Sequence, residues 1–95
     1  MTAAPESAAT GRPRLLRGVR LRHDAVRGGD VLLAPERIVR LDPVAVAILR
    51  RCDGARTVSD IVDDLSAAYN GDRARIDSDV RAMLADLVAK RMIAL

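Results

Sequence analysis

Asp30-Val31-Leu32-Leu33-Ala34-Pro35-Glu36-Arg37-Ile38-Val39-Arg40-Leu41-Asp42-Pro43 is the stretch on which the fold turns. Asp30 to Leu33 is a short apolar run that reads as a strand. Ala34-Pro35-Glu36-Arg37 makes a tight turn, with proline in its favoured second position. Arg37-Ile38-Val39-Arg40-Leu41 then resumes as a strand. Asp42-Pro43 changes the regime. A carboxylate able to accept from free backbone N–H groups, followed by a residue whose fixed φ suits the first helical position, marks a helix start. A strand pair therefore closes, and a helical half opens, inside one short segment.

Upstream, Val19-Arg20-Leu21-Arg22-His23 alternates apolar and polar, the pattern of a half-buried strand. Gly28-Gly29 supplies the positive φ of a hairpin turn. Three short strands in succession give an antiparallel meander. Downstream, Val44, Ala45, Ile48, Leu49 and Cys52 form an apolar stripe on a first helix, with Gly54 expected to end it. Thr57 and Asp60 have the spacing of a capping box for a second helix, on which Val58, Ile61, Val62, Leu65 and Tyr69 share a face. Asn70-Gly71 stops that helix. Asp72 caps a third, which runs to about Lys90 and carries Ile76, Val80, Met83, Leu84, Leu87 and Val88 at three- and four-residue spacing. Arg91 to Leu95 is short and apolar, either a last strand or a packed end. The order predicts an α+β domain, winged helix-turn-helix-like, with a three-stranded antiparallel sheet followed by three helices over one of its faces. Residues 1–14, rich in Ala, Ser, Thr, Pro and Gly, read as a disordered tail or linker, and residues 15–95 as one domain.

Composition narrows the function. There is no Phe or Trp and a single Tyr, so the aromatic stacking platform of a single-strand nucleic-acid binder is missing. One Cys and one His make neither a disulfide nor a metal-ligand set. No apolar run is long enough to span a bilayer, and residues 1–13 lack the apolar segment of a signal peptide, so a cytoplasmic protein is expected. The net charge of +3 is unevenly placed: residues 1–52 hold ten arginines against five acids, whereas residues 53–95 hold six basic residues against eight aspartates. A basic half beside an acidic half suits a polar peptide or protein partner. A winged-helix DNA binder is the competing reading. It rests on helix order and net charge, and Asp77, Asp79 and Asp86 on the third helix speak against it.

No catalytic set emerges. Asp63-Asp64 is the one adjacent acid pair, and both residues flank the apolar face of their helix and look outward. Cys52 lies on an apolar stripe, where free cysteine usually packs as a small hydrophobe. His23 ends a strand with no partner ligands. Gly28-Gly29 lacks the lysine and spacing of a phosphate loop. What remains is geometric. The strand at residues 36–41 closes the meander and is expected at a sheet edge, where backbone groups stand free. An extended peptide could pair there through roughly four or five bonds, each contributing about 0.5–1.5 kcal/mol net, with apolar pockets choosing the sequence.

Leu16-x-Gly18-Val19-Arg20-Leu21-Arg22, Val31-Leu32-Leu33-Ala34-Pro35-Glu36-Arg37, Leu41-Asp42, Cys52-Asp53-Gly54, Thr57-Val58-x-x-Ile61, Asp79-Val80 and Leu84-x-x-Leu87, in this order and spacing, resemble the pyrroloquinoline quinone biosynthesis protein D (PqqD) family. The resemblance covers about residues 15–95. It implies a non-catalytic peptide chaperone of the RiPP recognition element type, without a cofactor. Such a protein binds the precursor peptide PqqA and delivers it to the radical S-adenosylmethionine enzyme PqqE. It further implies that the peptide adds as a strand along Arg37, Ile38, Val39, Arg40 and Leu41, with Val80, Met83, Leu84 and Leu87 opposite. Nucleic acid and membranes are not implied partners. Relatives that fuse this domain to another pathway enzyme suggest that the N-terminal tail is a piece of linker. The chain departs from the family pattern after the third helix, where Arg91-Met92-Ile93 replaces a common Gly-Leu pair.

Overall fold

The computed structural model describes residues 11–95, so most of the expected tail lies outside the described residues. Five strands and three helices follow in the order β1 (Arg14–Leu15), β2 (Arg20–His23), β3 (Asp30–Ala34), β4 (Arg37–Leu41), α1 (Pro43–Leu49), α2 (Val58–Tyr69), α3 (Arg73–Ala89) and β5 (Ile93–Ala94). The main sheet is antiparallel with order β2-β3-β4, and β1 pairs with β5 in a separate two-stranded ribbon. The expected α+β, winged-helix-like arrangement is present.

The local signals act as their chemistry dictates. Gly28 and Gly29 both take positive φ in the β2–β3 hairpin, and the Asp24 carboxylate accepts from the Val26 and Arg27 N–H groups. Asp42 caps α1, its carboxylate accepting from Ala45 N–H at 2.7 Å, with Pro43 opening the helix. Thr57 and Asp60 form a reciprocal capping box at α2. Asn70 ends that helix in the left-handed region, and Asp72 caps α3. These caps satisfy N–H groups that have no partner inside the helix.

The core lies between one face of the sheet and the helices. Leu32 is fully buried, and Leu21, Ala34, Val39 and Leu41 share its face. From the helices come Ile48, Leu49 and Cys52, then Val58, Ile61, Val62 and Leu65, then Val80, Leu84 and Leu87. The end of α3 is a Schellman motif. Arg91 adopts φ 60°, its N–H donates to Val88 C=O, and Met92 N–H donates back to Leu87 C=O. That turn sends Met92 and Ile93 into the core, and of the two expectations for the C-terminus it is the strand that forms.

Two expectations change. Gly54 does not end α1, which stops at Leu49 with Arg50 as its cap. Gly54 instead takes φ +79° beside Arg14, donating its N–H to Pro13 C=O. The ordered structure also reaches back before Leu15. Pro13 is fully buried, Val58 N–H donates to Gly11 C=O, and the Arg12 guanidinium donates to Ala55 C=O. Among the described residues no helix is long and apolar enough to cross a membrane.

Candidate functional site

β4 is an edge strand, and its register tells which backbone groups are free. Ala34 pairs with Arg37 across the two-residue turn, then Leu33 with Ile38, Leu32 with Val39, Val31 with Arg40 and Asp30 with Leu41. In an antiparallel ladder, pairs that exchange hydrogen bonds alternate with pairs that do not. The bond from Asp24 N–H to Gly29 C=O at the β2–β3 hairpin fixes the phase. Val31 and Leu33 therefore bond to β2, while Asp30, Leu32 and Ala34 bond to β4. Arg37, Val39 and Leu41 turn inward to β3. Ile38 and Arg40 direct their N–H and C=O groups away from the sheet, and no other backbone bond engages them among the described residues. Four backbone groups are thus open to an incoming strand, and the Ile38 side chain beside them is 70 % exposed.

Two residues past β4 the chain enters the wall of an apolar trough of about 360 Å³. Pro43, Val44, Ala47 and Ile48 of α1 form one side, and Ile76 and Val80 of α3 the other. Tyr69 closes the α2 end, and Arg75, Asp72 and Asp79 stand on the rim. Val44 and Tyr69 are 61 % and 64 % exposed, a large apolar area for a domain this small. Gly71 lies in the trough wall, where a Cβ would stand 3.1 Å from Ile76 Cδ1.

Of the residues expected to face the edge from the third helix, Val80 lies at the bottom of the trough, 1 % exposed. Met83 is half-buried against the core. Leu84 and Leu87 are buried core residues. The apolar side chains that line the rim and walls of the trough are Val44, Tyr69 and Ile76. Sequence reasoning placed each of these on an apolar stripe and gave none of them a part in the site. Val44 stands near the start of α1 and Tyr69 ends α2, and both are exposed.

The candidate catalytic groups have structural roles. Burial, and secondarily the charge of Asp53, push the Cys52 thiol up to about 12, and its Sγ donates to Ile48 C=O. It is therefore a protonated thiol at neutral pH, unsuited to nucleophilic attack. Asp63 pairs with Arg73 at 2.7 Å, and Asp64 pairs with Arg51. His23 Nδ1 lies 3.2 Å from Asp30 Oδ1 across β2 and β3. On α3, Asp77 pairs with Arg81 and Asp86 with Lys90. Backbone N–H groups of Ala55 and Arg56 hold the Asp53 carboxyl below its usual range, and the Thr57 backbone N–H does the same for Asp60. Among the described residues no cluster of three His, Cys, Asp or Glu side chains could hold a metal ion.

Comparison with known proteins fits this architecture. The family model for coenzyme PQQ synthesis protein D (PqqD) matches residues 30–93, from the start of β3 to the start of β5. A PqqA binding protein of Rhodopseudomonas palustris (strain BisB5) is 53 % identical over 79 residues, covering 83 % of this chain and 78 % of that protein. The bifunctional coenzyme PQQ synthesis protein C/D of Methylorubrum extorquens is 53 % identical over 81 residues, covering 85 % of this chain but only 22 % of the larger protein. The solution structure of the PqqD truncation of Methylobacterium extorquens PqqCD, described as a functional and stand-alone RiPP recognition element, superposes with a TM-score of 0.76 at 48 % identity. It covers 95 % of this chain and 99 % of that one. The extent of these matches, across sheet and helices alike, shows that the chain belongs to the PqqD family.

Proposed function

We propose that this chain binds the precursor peptide PqqA as an added strand on β4 and presents it to the radical S-adenosylmethionine enzyme PqqE in pyrroloquinoline quinone biosynthesis. The observation that carries the reading is the pairing of an open edge with an apolar trough. Ile38 and Arg40 leave four backbone groups unpaired, and the chain reaches the trough within two residues of that strand. Four backbone bonds at about 0.5–1.5 kcal/mol each would hold a peptide without choosing its sequence. Selection then falls to side chains that settle against Val44, Tyr69, Ile76 and Val80. This division of labour between backbone and pockets is the usual one in strand addition. Arg37 to Leu41 contribute through the strand, and Val80 and Met83 through the adjoining face of α3. Leu84 and Leu87 act from the core by holding α3 in place. Relatives named as PqqA binding proteins support the choice of peptide.

The test is a titration of isotope-labelled protein with the precursor peptide, followed by amide resonances. The expected result is large shifts at Ile38 and Arg40 and along Val44, Ile76 and Val80. Shifts confined to residues before β1, or to the α2–α3 surface away from the trough, would overturn the reading. Addition of the enzyme to the preformed complex should slow tumbling of protein and peptide together. An enzyme that takes the peptide and leaves this chain free would refute presentation.

A further inference from the structure

The sheet has a second face, turned away from the helices and from the trough. The register places Arg20 and Arg22 of β2, Val31 and Leu33 of β3, and Ile38 and Arg40 of β4 on it. Arg22, Val31 and Arg40 form one cross-strand row, and Arg20, Leu33 and Ile38 the next. Val31 is only 8 % exposed although it lies outside the core cluster. Arg22 and Arg40, both exposed, flank it on the neighbouring strands. None of the six positions is acidic. Among the described residues none of the three arginines lies within salt-bridge distance of a carboxylate, whereas the acids of α2 and α3 are largely paired. A face with three unmatched positive charges around a half-covered apolar strip is self-repelling, and an opposing surface relieves it.

We infer that this outer sheet face docks an acidic surface of a folded protein, and that the partner is the enzyme receiving the peptide. The naming of that partner rests on the proposed peptide presentation; the face itself does not. A peptide alone does not account for the face. With strands about 4.8 Å apart, a strand added beyond β4 would lie roughly 14 Å from β2, out of reach of Arg20 and Arg22 for a short acidic side chain. A protein surface spans that width. An added strand would also widen the same face, because its alternate side chains emerge beside Ile38 and Arg40. A partner seated on the arginines would then touch chaperone and peptide at once, and would bind the loaded chain more tightly than the empty one.

The experiment uses the full chain with the double substitution Arg20→Glu and Arg22→Glu, and separately with both arginines changed to Gln. Both sites are exposed on β2, remote from the added strand, and thermal unfolding of each variant checks that the fold is kept. Affinity for the precursor peptide and affinity for the enzyme are measured separately, at low and at high salt. The expected result is peptide affinity within about twofold of the parent. Enzyme affinity should fall at least tenfold for the Glu pair and by less for the Gln pair, and the parent's salt dependence should largely vanish in both variants. Unchanged enzyme binding would overturn the inference, as would no enzyme binding by the parent. Peptide affinity falling together with enzyme affinity would overturn it too, by giving the face to the peptide. So would loss, in the variants, of self-association or of duplex-DNA binding in place of enzyme binding. A parent that binds enzyme but not peptide would refute the peptide reading alone.

Discussion

β2 and β4 flank β3 on opposite sides, and each leaves the backbone groups of two residues without a strand partner: Leu21 and His23 on β2, Ile38 and Arg40 on β4. As hydrogen-bonding templates they are alike. They differ in what lies at their ends. β2 runs from a loop in which Gly18 takes φ +85° to the hairpin containing Gly28 and Gly29, so solvent-exposed turns bound it on both sides. β4 leads directly into α1 and so into the apolar trough. The contrast teaches that a free edge is generic, whereas a free edge whose chain runs straight into the wall of an apolar trough offers both the backbone groups and the pockets that the proposed strand addition needs.

The sharpest way to break this comparison is to place a proline on each edge in turn. At position 40 the N–H points away from β3, so Arg40→Pro leaves the native ladder intact but removes a donor from the incoming strand. An unsatisfied partner carbonyl costs about 1–3 kcal/mol, a roughly 5- to 150-fold loss of peptide affinity by calorimetry. His23→Pro makes the same change on β2 and should leave peptide affinity unaltered. Equal losses from both would erase the distinction between the edges. A smaller effect is expected from Val44→Ala at the trough, where two methyl equivalents at about 0.8 kcal/mol each set an upper bound near fifteenfold. Val26→Ala, at a still more exposed valine in the β2–β3 hairpin, should change nothing.

Thr57→Ala separates binding from stability. Loss of the α2 cap should lower unfolding free energy by about 0.5–2 kcal/mol in denaturant titrations while peptide affinity at neutral pH stays within about twofold. Its partner Asp60 sets a pH signature. The folded carboxyl is held below its ordinary value of 3.8, so its contribution is present above that pH and is lost as the pH falls through the lower folded value. Acid unfolding of the Asp60→Asn variant should accordingly be less steep below about pH 4. The smallest expected effect is at Cys52. With its thiol pushed up to about 12 by burial, alkylation at neutral pH should be negligible in the native protein and rapid in denaturant, with peptide present or absent.

The helical half and the meander were legible because their determinants are local. Asp42-Pro43, Thr57 with Asp60, Asn70 and Asp72 each act on backbone within three residues. The edge position of β4 was legible for the same reason, since a hairpin strand followed at once by a helix has no further strand to pair with. The β1–β5 ribbon was not. Two-residue strands have no periodicity, and Arg14 and Leu15 acquire their partners only when the Schellman turn at Arg91 brings Ile93 and Ala94 round. The trough was half legible. A 3.6-residue repeat shows that Val44, Tyr69 and Ile76 share faces with core residues, but not that neighbouring helices stop short of them. For the same reason the burial of Leu84 and Leu87 could not be told in advance from the partial exposure of Met83.

Arg14 sits opposite Ala94 in the ribbon, with the two backbones about 5 Å apart. The first strand of the described residues thus lies beside the last. A flexible linker joining residue 11 to residue 95, with the chain reopened at Gly28-Gly29, would give a circularly permuted version of the described residues with the same β4 and the same trough. Such a rearrangement would free the sheet's far corner as an attachment point for a reporter while both proposed contact surfaces stay uncovered.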